Sequence, residues 1–234
     1  MVKASQRVLE GHKKIVSGPY KAIEALRLLQ ETATAKFVET AEAHISLRLD
    51  TKYADQQLRS TVVLPRGTGK TVLIGVIAQG SVASEALSAG ADVVGFEDLI
   101  HDIGKGIIHF DRLITTPDMM PSIAKLGKVL GPRGLMPSPK SGTVTLDVRK
   151  AIEEFKKGKL EYRADKGGVV HVPFGKTNFS VEDLLLNLET LQESIDKHKP
   201  SGARGKYWKN FYICSTMGPS IPIEISQFRE KVFV

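Results

Sequence analysis

Hydrophobic and polar positions are spaced differently in the middle of this chain and in its two flanks. Residues 71–78 (TVLIGVIA) form a nearly continuous apolar run, the pattern of a strand buried on both faces. A helical stretch follows at 81–89, then shorter apolar runs at 92–95 and 107–115, then helical stretches at 119–130 and 148–157. Strands alternating with helices predict βαβ crossovers and a small parallel sheet. The flanks alternate instead. Ala43, Ile45, Leu47 and Leu49 are interleaved with Glu42, His44, Ser46, Arg48 and Asp50, which predicts a strand with one face on a core and one in solvent. Ahead of it, Ser17-Gly18-Pro19 signals a helix start, after which Ile23, Leu26 and Leu29 share a face.

Past the middle, strand patterns at 160–163 and 169–172 flank Ala164-Asp165-Lys166-Gly167-Gly168, which reads as a hairpin whose two glycines supply positive φ. Ser180 is placed to cap a helix with an apolar stripe of Leu184, Leu188, Leu191 and Ile195, ending before Pro200. Strands at 207–215 and 221–225 close the chain. Neither flank alone supplies enough elements to cover a sheet, whereas together they make an α+β domain of ordinary size. The expected architecture is therefore discontinuous: residues 1–66 plus 159–234 form an α+β domain, and residues 67–158 form an inserted α/β domain. Both joints are basic and contain glycine, Pro65-Arg66-Gly67-Thr68-Gly69-Lys70 on entry and Lys156-Lys157-Gly158-Lys159 on exit. Gly67, Gly69 and Gly158 are the candidate hinge positions.

Composition narrows the function classes. A chain of 234 residues that is 41% hydrophobic and 25% charged is a globular protein, not a disordered one. Its longest apolar stretch, 72–78, is far short of the roughly 18 residues that suggest a membrane helix, so no membrane partner is expected. The opening Met-Val-Lys-Ala lacks the apolar segment of a secretion signal. Cys214 is the single cysteine, which excludes an internal disulfide and any multi-cysteine metal site and fits a reducing compartment. Thirty-three Lys+Arg against 26 Asp+Glu give a net charge of +7. Residues 1–66 carry 11 basic and 7 acidic side chains, 67–158 carry 11 and 10, and 159–234 carry 11 and 9, so the flanks hold six of the seven net charges. This balance favours a polyanionic partner, and it also suits a merely basic surface.

Enzymatic motifs are weak. Gly67-Thr68-Gly69-Lys70-Thr71 resembles the end of a phosphate-binding loop, but Leu64 stands where the first glycine belongs, and a strand pattern follows the lysine where a helix should. A nucleotide hydrolase is thus the runner-up reading. The six histidines, His12, His44, His101, His109, His171 and His198, show no metal-ligand spacing, and Cys214 within a strand pattern reads as a small buried hydrophobe. No catalytic residue, cofactor or metal is expected. Three stretches suit contact with a ligand. The stiff 131–142 loop carries Arg133 and Lys140, which suit a secondary contact with a phosphate backbone. Lys36-Phe37 precedes the alternating strand, and Ser215-Thr216-Met217-Gly218-Pro219 follows a later one.

Taken together, these segments resemble the ribosomal protein L1 family, the protein of the mobile side stalk of the large subunit. The motifs that carry the likeness run in order along nearly the whole chain: Ala35-Lys36-Phe37 with Glu39-Thr40, Asp55-Gln56, Leu64-Pro65 with Gly67-Thr68-Gly69-Lys70, Ala89-Gly90-Ala91-Asp92, Thr116-Pro117-Asp118-Met119, the 130–137 segment LGPRGLMP, Asp165-Lys166, His171, Gly175-Lys176, and Thr216-Met217-Gly218-Pro219. The resemblance implies a first domain made from both chain ends, an inserted Rossmann-like three-layer α/β second domain, a two-strand hinge and no catalytic activity. It implies binding of large-subunit ribosomal RNA, movement and release of exit-site tRNA, repression of the protein's own messenger RNA in bacterial relatives, and a monomer within the ribosome. The RNA-contacting positions carried over are Lys36, Phe37, Thr40, Asp165, Lys166, His171, Ser215, Thr216, Met217 and Gly218. Gly167 departs from the threonine often found there. Phe37 is expected to pack beneath the 216–218 loop more than to stack on a base. The 207–215 tail and Asp55-Gln56-Gln57-Leu58-Arg59 resemble the plastid and cyanobacterial branch, which favours the plastid stroma with bacterial cytoplasm as the alternative.

Overall fold

The computed structural model describes residues 6–15, 18–203 and 205–226; Ser17 of the expected helix start lies outside them. In chain order the elements are α1 (Gln6–Lys14), α2 (Ala22–Thr32), β1 (Thr40–Leu47), β2 (Arg59–Val63), β3 (Ile74–Ile77), α3 (Ser81–Ser88), β4 (Val93–Gly95), α4 (Glu97–Gly104), β5 (Arg112–Thr115), α5 (Met120–Ala124), α6 (Gly127–Leu130), α7 (Val148–Lys156), β6 (Lys159–Arg163), β7 (Val169–Lys176), α8 (Val181–Lys197), β8 (Trp208–Ser215) and β9 (Ile221–Pro222). The chain divides into two compact units, Met1–Gly69 with Glu161–Val234, and Lys70–Leu160. No described helix is long and apolar enough to cross a membrane.

The unit holding both chain ends is built on a sheet of order β7-β1-β8-β9, with all neighbours antiparallel. Alternation along β1 does what its sequence predicts: Ala41, Ala43, Ile45 and Leu47 are buried while Thr40, Glu42, His44 and Ser46 are partly exposed. Helices α2 and α8 pack on the buried face. Helix α8 starts where the Ser180 Oγ accepts a bond from the Asp183 amide at 3.1 Å, and its Leu184, Leu188, Leu191 and Ile195 are all buried. In α2 the buried stripe is Ala25, Leu26, Leu29 and Thr32, and Ile23, expected on that face, is 40% exposed. Positions 25, 29 and 32 align at helical spacing, and residue 23 falls outside that arc.

The expected hairpin around Gly167-Gly168 is a short one, closed where the Asp165 amide donates to the Val169 carbonyl at 2.9 Å and the Gly168 amide donates to the Asp165 carbonyl at 3.1 Å. Strand β6 pairs with β2 and β7 pairs with β1, leaving one bridge, Ala164 to Val170, between the two segments. The turn is also pinned to β1, where the Leu47 amide donates to the Gly168 carbonyl at 2.9 Å. Of the two glycines only Gly168 has positive φ, at 74°. A Cβ there would also stand 2.9 and 3.0 Å from the Leu49 and Leu47 carbonyl oxygens, so that position needs glycine on two counts.

The second unit carries a parallel sheet of order β4-β3-β5. Every residue of β3 is buried. Ile74, Val76 and Ile114 face α3 and α7 through Ala86, Val148, Ala151, Ile152 and Phe155, while Ile77 and Leu113 face Leu99, Ile103, Phe110, Ile123 and Leu130 on the other side. Three expectations are corrected here. The 71–78 strand begins only at Ile74. The 107–115 run is strand only from Arg112, because Phe110 turns in against Gly75 and the Asp111 amide and carboxylate both bond to Leu73. The 119–130 helix is two short helices broken at Lys125-Leu126, ahead of the weak helix former Gly127.

Candidate nucleic-acid interface

Among the described residues, no helix covers the face of the four-stranded sheet turned away from α2 and α8, and the expected RNA-contacting positions lie along it or at its two ends. Register explains the arrangement. Thr40 at the start of β1 pairs with Lys176 and Ala41 with Ser215, so the 216–218 loop and Lys36-Phe37 share one end. His44 pairs with His171 at mid-strand, and Ser46 pairs with Val169 beside the Asp165-Lys166 turn at the other end. Thr40 and Ser46 are six residue steps apart on β1, a span of about 20 Å. All of these positions belong to one unit.

At the first end Glu39 organises two loops. It is 1% exposed, and its carboxylate accepts bonds from the Met217 amide at 2.8 Å and the Ala35 amide at 3.0 Å. Burial acts to raise its pKa, but those two amides, the Ser215 hydroxyl and the Arg7 charge outweigh it and hold the carboxyl below its ordinary value. Thr216 ties in as well: its Oγ1 accepts from the Thr40 amide at 2.9 Å, and its own amide donates to the Thr40 carbonyl at 3.0 Å. Lys176 Nζ donates to Thr40 Oγ1 at 2.8 Å. The loop tip therefore presents Lys36, Thr216 and Met217 from a fixed frame. Two expectations change. Phe37 is 56% exposed, not packed beneath the loop, and Ser215 is 2% exposed, so it supports the loop from inside. Gly218 has no room for a side chain, because the Ser215 hydroxyl occupies the place of a Cβ. Glu39 and Lys176 stand in quoted motifs, but nothing in their spacing distinguishes these anchoring roles.

At the far end Asp165 shapes its own turn, accepting from the Gly167 and Val169 amides at 2.8 Å each. The Val169 bond is the largest of the causes that hold its carboxyl below the ordinary range. Lys166 is exposed, and its carbonyl accepts from Thr51 Oγ1. Between the ends, the histidines that lacked any spacing signal meet in space: His44 and His171 approach Nδ1 to Nδ1 at 2.8 Å. His44 Nε2 lies 3.0 Å from Cys214 Sγ, so the cysteine is half-buried and in polar contact, not simply packed. Burial, then the neighbouring His171, push the His44 pKa down.

The remaining candidates lie elsewhere. Arg133 and Lys140 are exposed on the second unit. Gly67, Gly69 and Gly158 have φ of 65°, 70° and 105°. The entry segment is latched to α8 by the fully buried Asn187, which accepts from the Arg66 amide at 3.0 Å and donates to the Gly67 carbonyl at 3.0 Å. Lys70, the lysine of the loop-like motif, is paired with Asp111 at 2.7 Å.

Residues 29–219 match the model of the Ribosomal protein L1p/L10e family. The chain belongs to that family, which is one of ribosomal proteins and not of enzymes. It is 72% identical over 233 residues, the full length of both chains, to the large ribosomal subunit protein uL1c of Guillardia theta. It is equally similar, over the same length, to uL1c of Rhodomonas salina. The large ribosomal subunit protein uL1 of Trichodesmium erythraeum (strain IMS101) is 62% identical over 228 residues, 97% of this chain and 96% of that one.

Proposed function

We propose that this chain is a structural constituent of the large ribosomal subunit, where the unit holding both chain ends binds large-subunit ribosomal RNA. The observation that carries this reading is the frame around Glu39, which fixes the 216–218 loop and the Lys36-Phe37 loop at one end of a bare sheet face. Lys36 and Lys166 meet phosphates. Thr40, Thr216 and the backbone around Met217-Gly218 bond 2′-hydroxyls and base edges, Phe37 offers an exposed ring for stacking, and Asp165 and His171 line the path between. Ser215 acts from beneath the loop.

In this reading residues 1–66 and 159–234 are one discontinuous α+β domain and residues 67–158 are an inserted Rossmann-like domain. The division into two compact units and the parallel, doubly covered β4-β3-β5 sheet support it. Gly67, Gly69 and Gly158 serve as the hinge, and the inserted domain, with Arg133 and Lys140, moves and releases exit-site tRNA. The same RNA-binding face represses the protein's own messenger. The relatives named uL1c and uL1 support a plastid ribosome, or a cyanobacterial one.

The test is binding of the full chain to a stalk-helix fragment of large-subunit ribosomal RNA and to an unrelated folded RNA in moderate salt. Strong preference for the first is expected, and Thr216→Val reduces it by about 1–3 kcal/mol, since the hydroxyl serves both the loop and the RNA. Equal affinity for both RNAs overturns the reading and leaves a diffuse basic patch.

A further inference from the structure

We propose that Glu42, His44 and Cys214 form a site for one borderline-soft divalent cation of the zinc type on the open face of the sheet. The residues reach it by register. Glu42 and His44 are two apart on β1 and so share a face, and Cys214 on β8 stands directly opposite Glu42. Their donor atoms all lie within 4.8 Å of one another, and all three residues are half-buried, neither sealed in the core nor free in solvent.

The geometry fits tetrahedral coordination. Zinc bonds of about 2.3 Å to sulfur and about 2.0 Å to nitrogen or oxygen place S and N about 3.5 Å apart and N and O about 3.3 Å apart. Cys214 Sγ and His44 Nε2 are 3.0 Å apart, and His44 Nε2 and Glu42 Oε2 are 3.9 Å apart. Adjustments of about half an ångström in these two distances, with Cys214 Sγ and the Glu42 carboxylate drawn together from within 4.8 Å, complete three corners. The fourth faces solvent and is filled by water. Cys214 gives up its thiol proton to solvent as the sulfur–metal bond forms.

A second observation points the same way. Metal-binding histidines are held by a partner on their other ring nitrogen. His44 Nδ1 faces His171 Nδ1 at 2.8 Å, and His171 Nε2 in turn faces Asp165 Oδ2 at 3.6 Å. With the His44 Nδ1 proton donated to His171, the Nε2 lone pair is left aimed at Glu42 and Cys214. No linear motif announces the site, because Cys214 stands 170 residues beyond His44. The inference does not rest on RNA binding.

The experiment titrates the full, metal-free chain with Co²⁺ alone under a non-thiol reductant. One equivalent is expected to bind with a near-ultraviolet thiolate-to-cobalt band and the visible bands of a tetrahedral centre, and Zn²⁺ is expected to abolish both. Cys214→Ser removes the thiolate band, while His44→Ala and Glu42→Gln weaken binding at least about tenfold. His171→Ala, which leaves all three ligands in place, keeps the band and weakens binding about tenfold. Circular dichroism checks that each variant folds. On the unsubstituted chain, Zn²⁺ is also expected to slow alkylation of Cys214, a readout that needs no variant. Absence of the thiolate band overturns the proposal, and so does unchanged affinity in both His44→Ala and Glu42→Gln. Cobalt held by the exposed His12, His101, His109 or His198 gives no thiolate band and counts against it.

Discussion

The two units solve the problem of covering a sheet in opposite ways. In the Lys70–Leu160 unit, three parallel strands are sandwiched between helices, and both faces of β3 are filled by apolar side chains. In the other, the antiparallel sheet buries one face against α2 and α8 and leaves Glu42, His44, Ser46, His171 and Tyr212 on the other. Parallel strands need crossover helices, which occupy both faces and leave chemistry only to loops. An antiparallel sheet needs no crossovers, so one whole face stays available for polar side chains. The loops that frame that face are held by buried polar groups, Glu39 above all, whereas the doubly covered sheet is filled by apolar packing, with the buried Thr115 hydroxyl bonded to the Ile77 carbonyl and the Asp92 carboxylate accepting from the Ile74 amide.

The comparison is broken most forcefully in the packed sheet. Ile152→Ala empties a fully buried position on α7 and is expected to cost about 2–5 kcal/mol. Hydrogen exchange should quicken at amides of Lys70–Leu160 and stay unchanged in the β7-β1-β8 sheet. Ser46→Ala on the open face is the control, with a change under about 0.5 kcal/mol. Equal effects of the two substitutions would mean that the open face is not open.

Next in size is Glu39→Gln, expected to cost about 1–3 kcal/mol because an amide nitrogen is placed against backbone N–H groups that the carboxylate now accepts. Affinity for the stalk RNA falls with it. The same contact gives a pH dependence. The folded pKa of Glu39 lies below its ordinary value, so its contribution is fully present above that ordinary value and is lost as pH falls through the depressed one. Acid titration of the unsubstituted chain should release the 216–218 loop, read as faster exchange of the Met217 amide. Glu39→Gln should flatten that transition.

Period carried the legible part of the fold. Alternation at 42–50 marked β1 and its inward face, and Ser180 with its leucine stripe marked α8, because each is a local pattern that tertiary packing reinforces. Failures arose where packing overrode propensity: Phe110 and Asp111 turned away from the strand that 107–115 suggested, and β6 and β7 stay together only as far as the Ala164–Val170 bridge before taking separate partners. Among site residues, the two loop ends were legible through the motif resemblance. The His44, His171 and Cys214 contacts were not, since only sheet register brings them together, and register is a long-range property. A smaller effect tests the local kind of signal. Ser180→Ala removes the acceptor for the Asp183 amide and should lower stability by about 1 kcal/mol, read from denaturant unfolding, with exchange quickest in the first turn of α8.

The smallest expected effect comes from Lys70→Ala, and it separates the packed unit from the nucleotide hydrolase that its loop imitates. In a phosphate-binding loop the lysine is held free for the nucleotide, and its loss abolishes turnover. Here Lys70 is 62% exposed and already paired with Asp111 at 2.7 Å. That pair is the first cause holding the Asp111 carboxyl below its ordinary range. The Asp111 carboxylate also accepts from the Leu73 amide at 3.2 Å, so it stays anchored once the lysine is gone. An exposed pair of this kind contributes at most about 1 kcal/mol and is screened by salt. Lys70→Ala should therefore shift the unfolding midpoint slightly at low salt and hardly at all at high salt, with stalk RNA affinity unchanged. ATP or GTP hydrolysis by the unsubstituted chain that disappears in Lys70→Ala would reverse the assignment of this loop and return the hydrolase reading to first place.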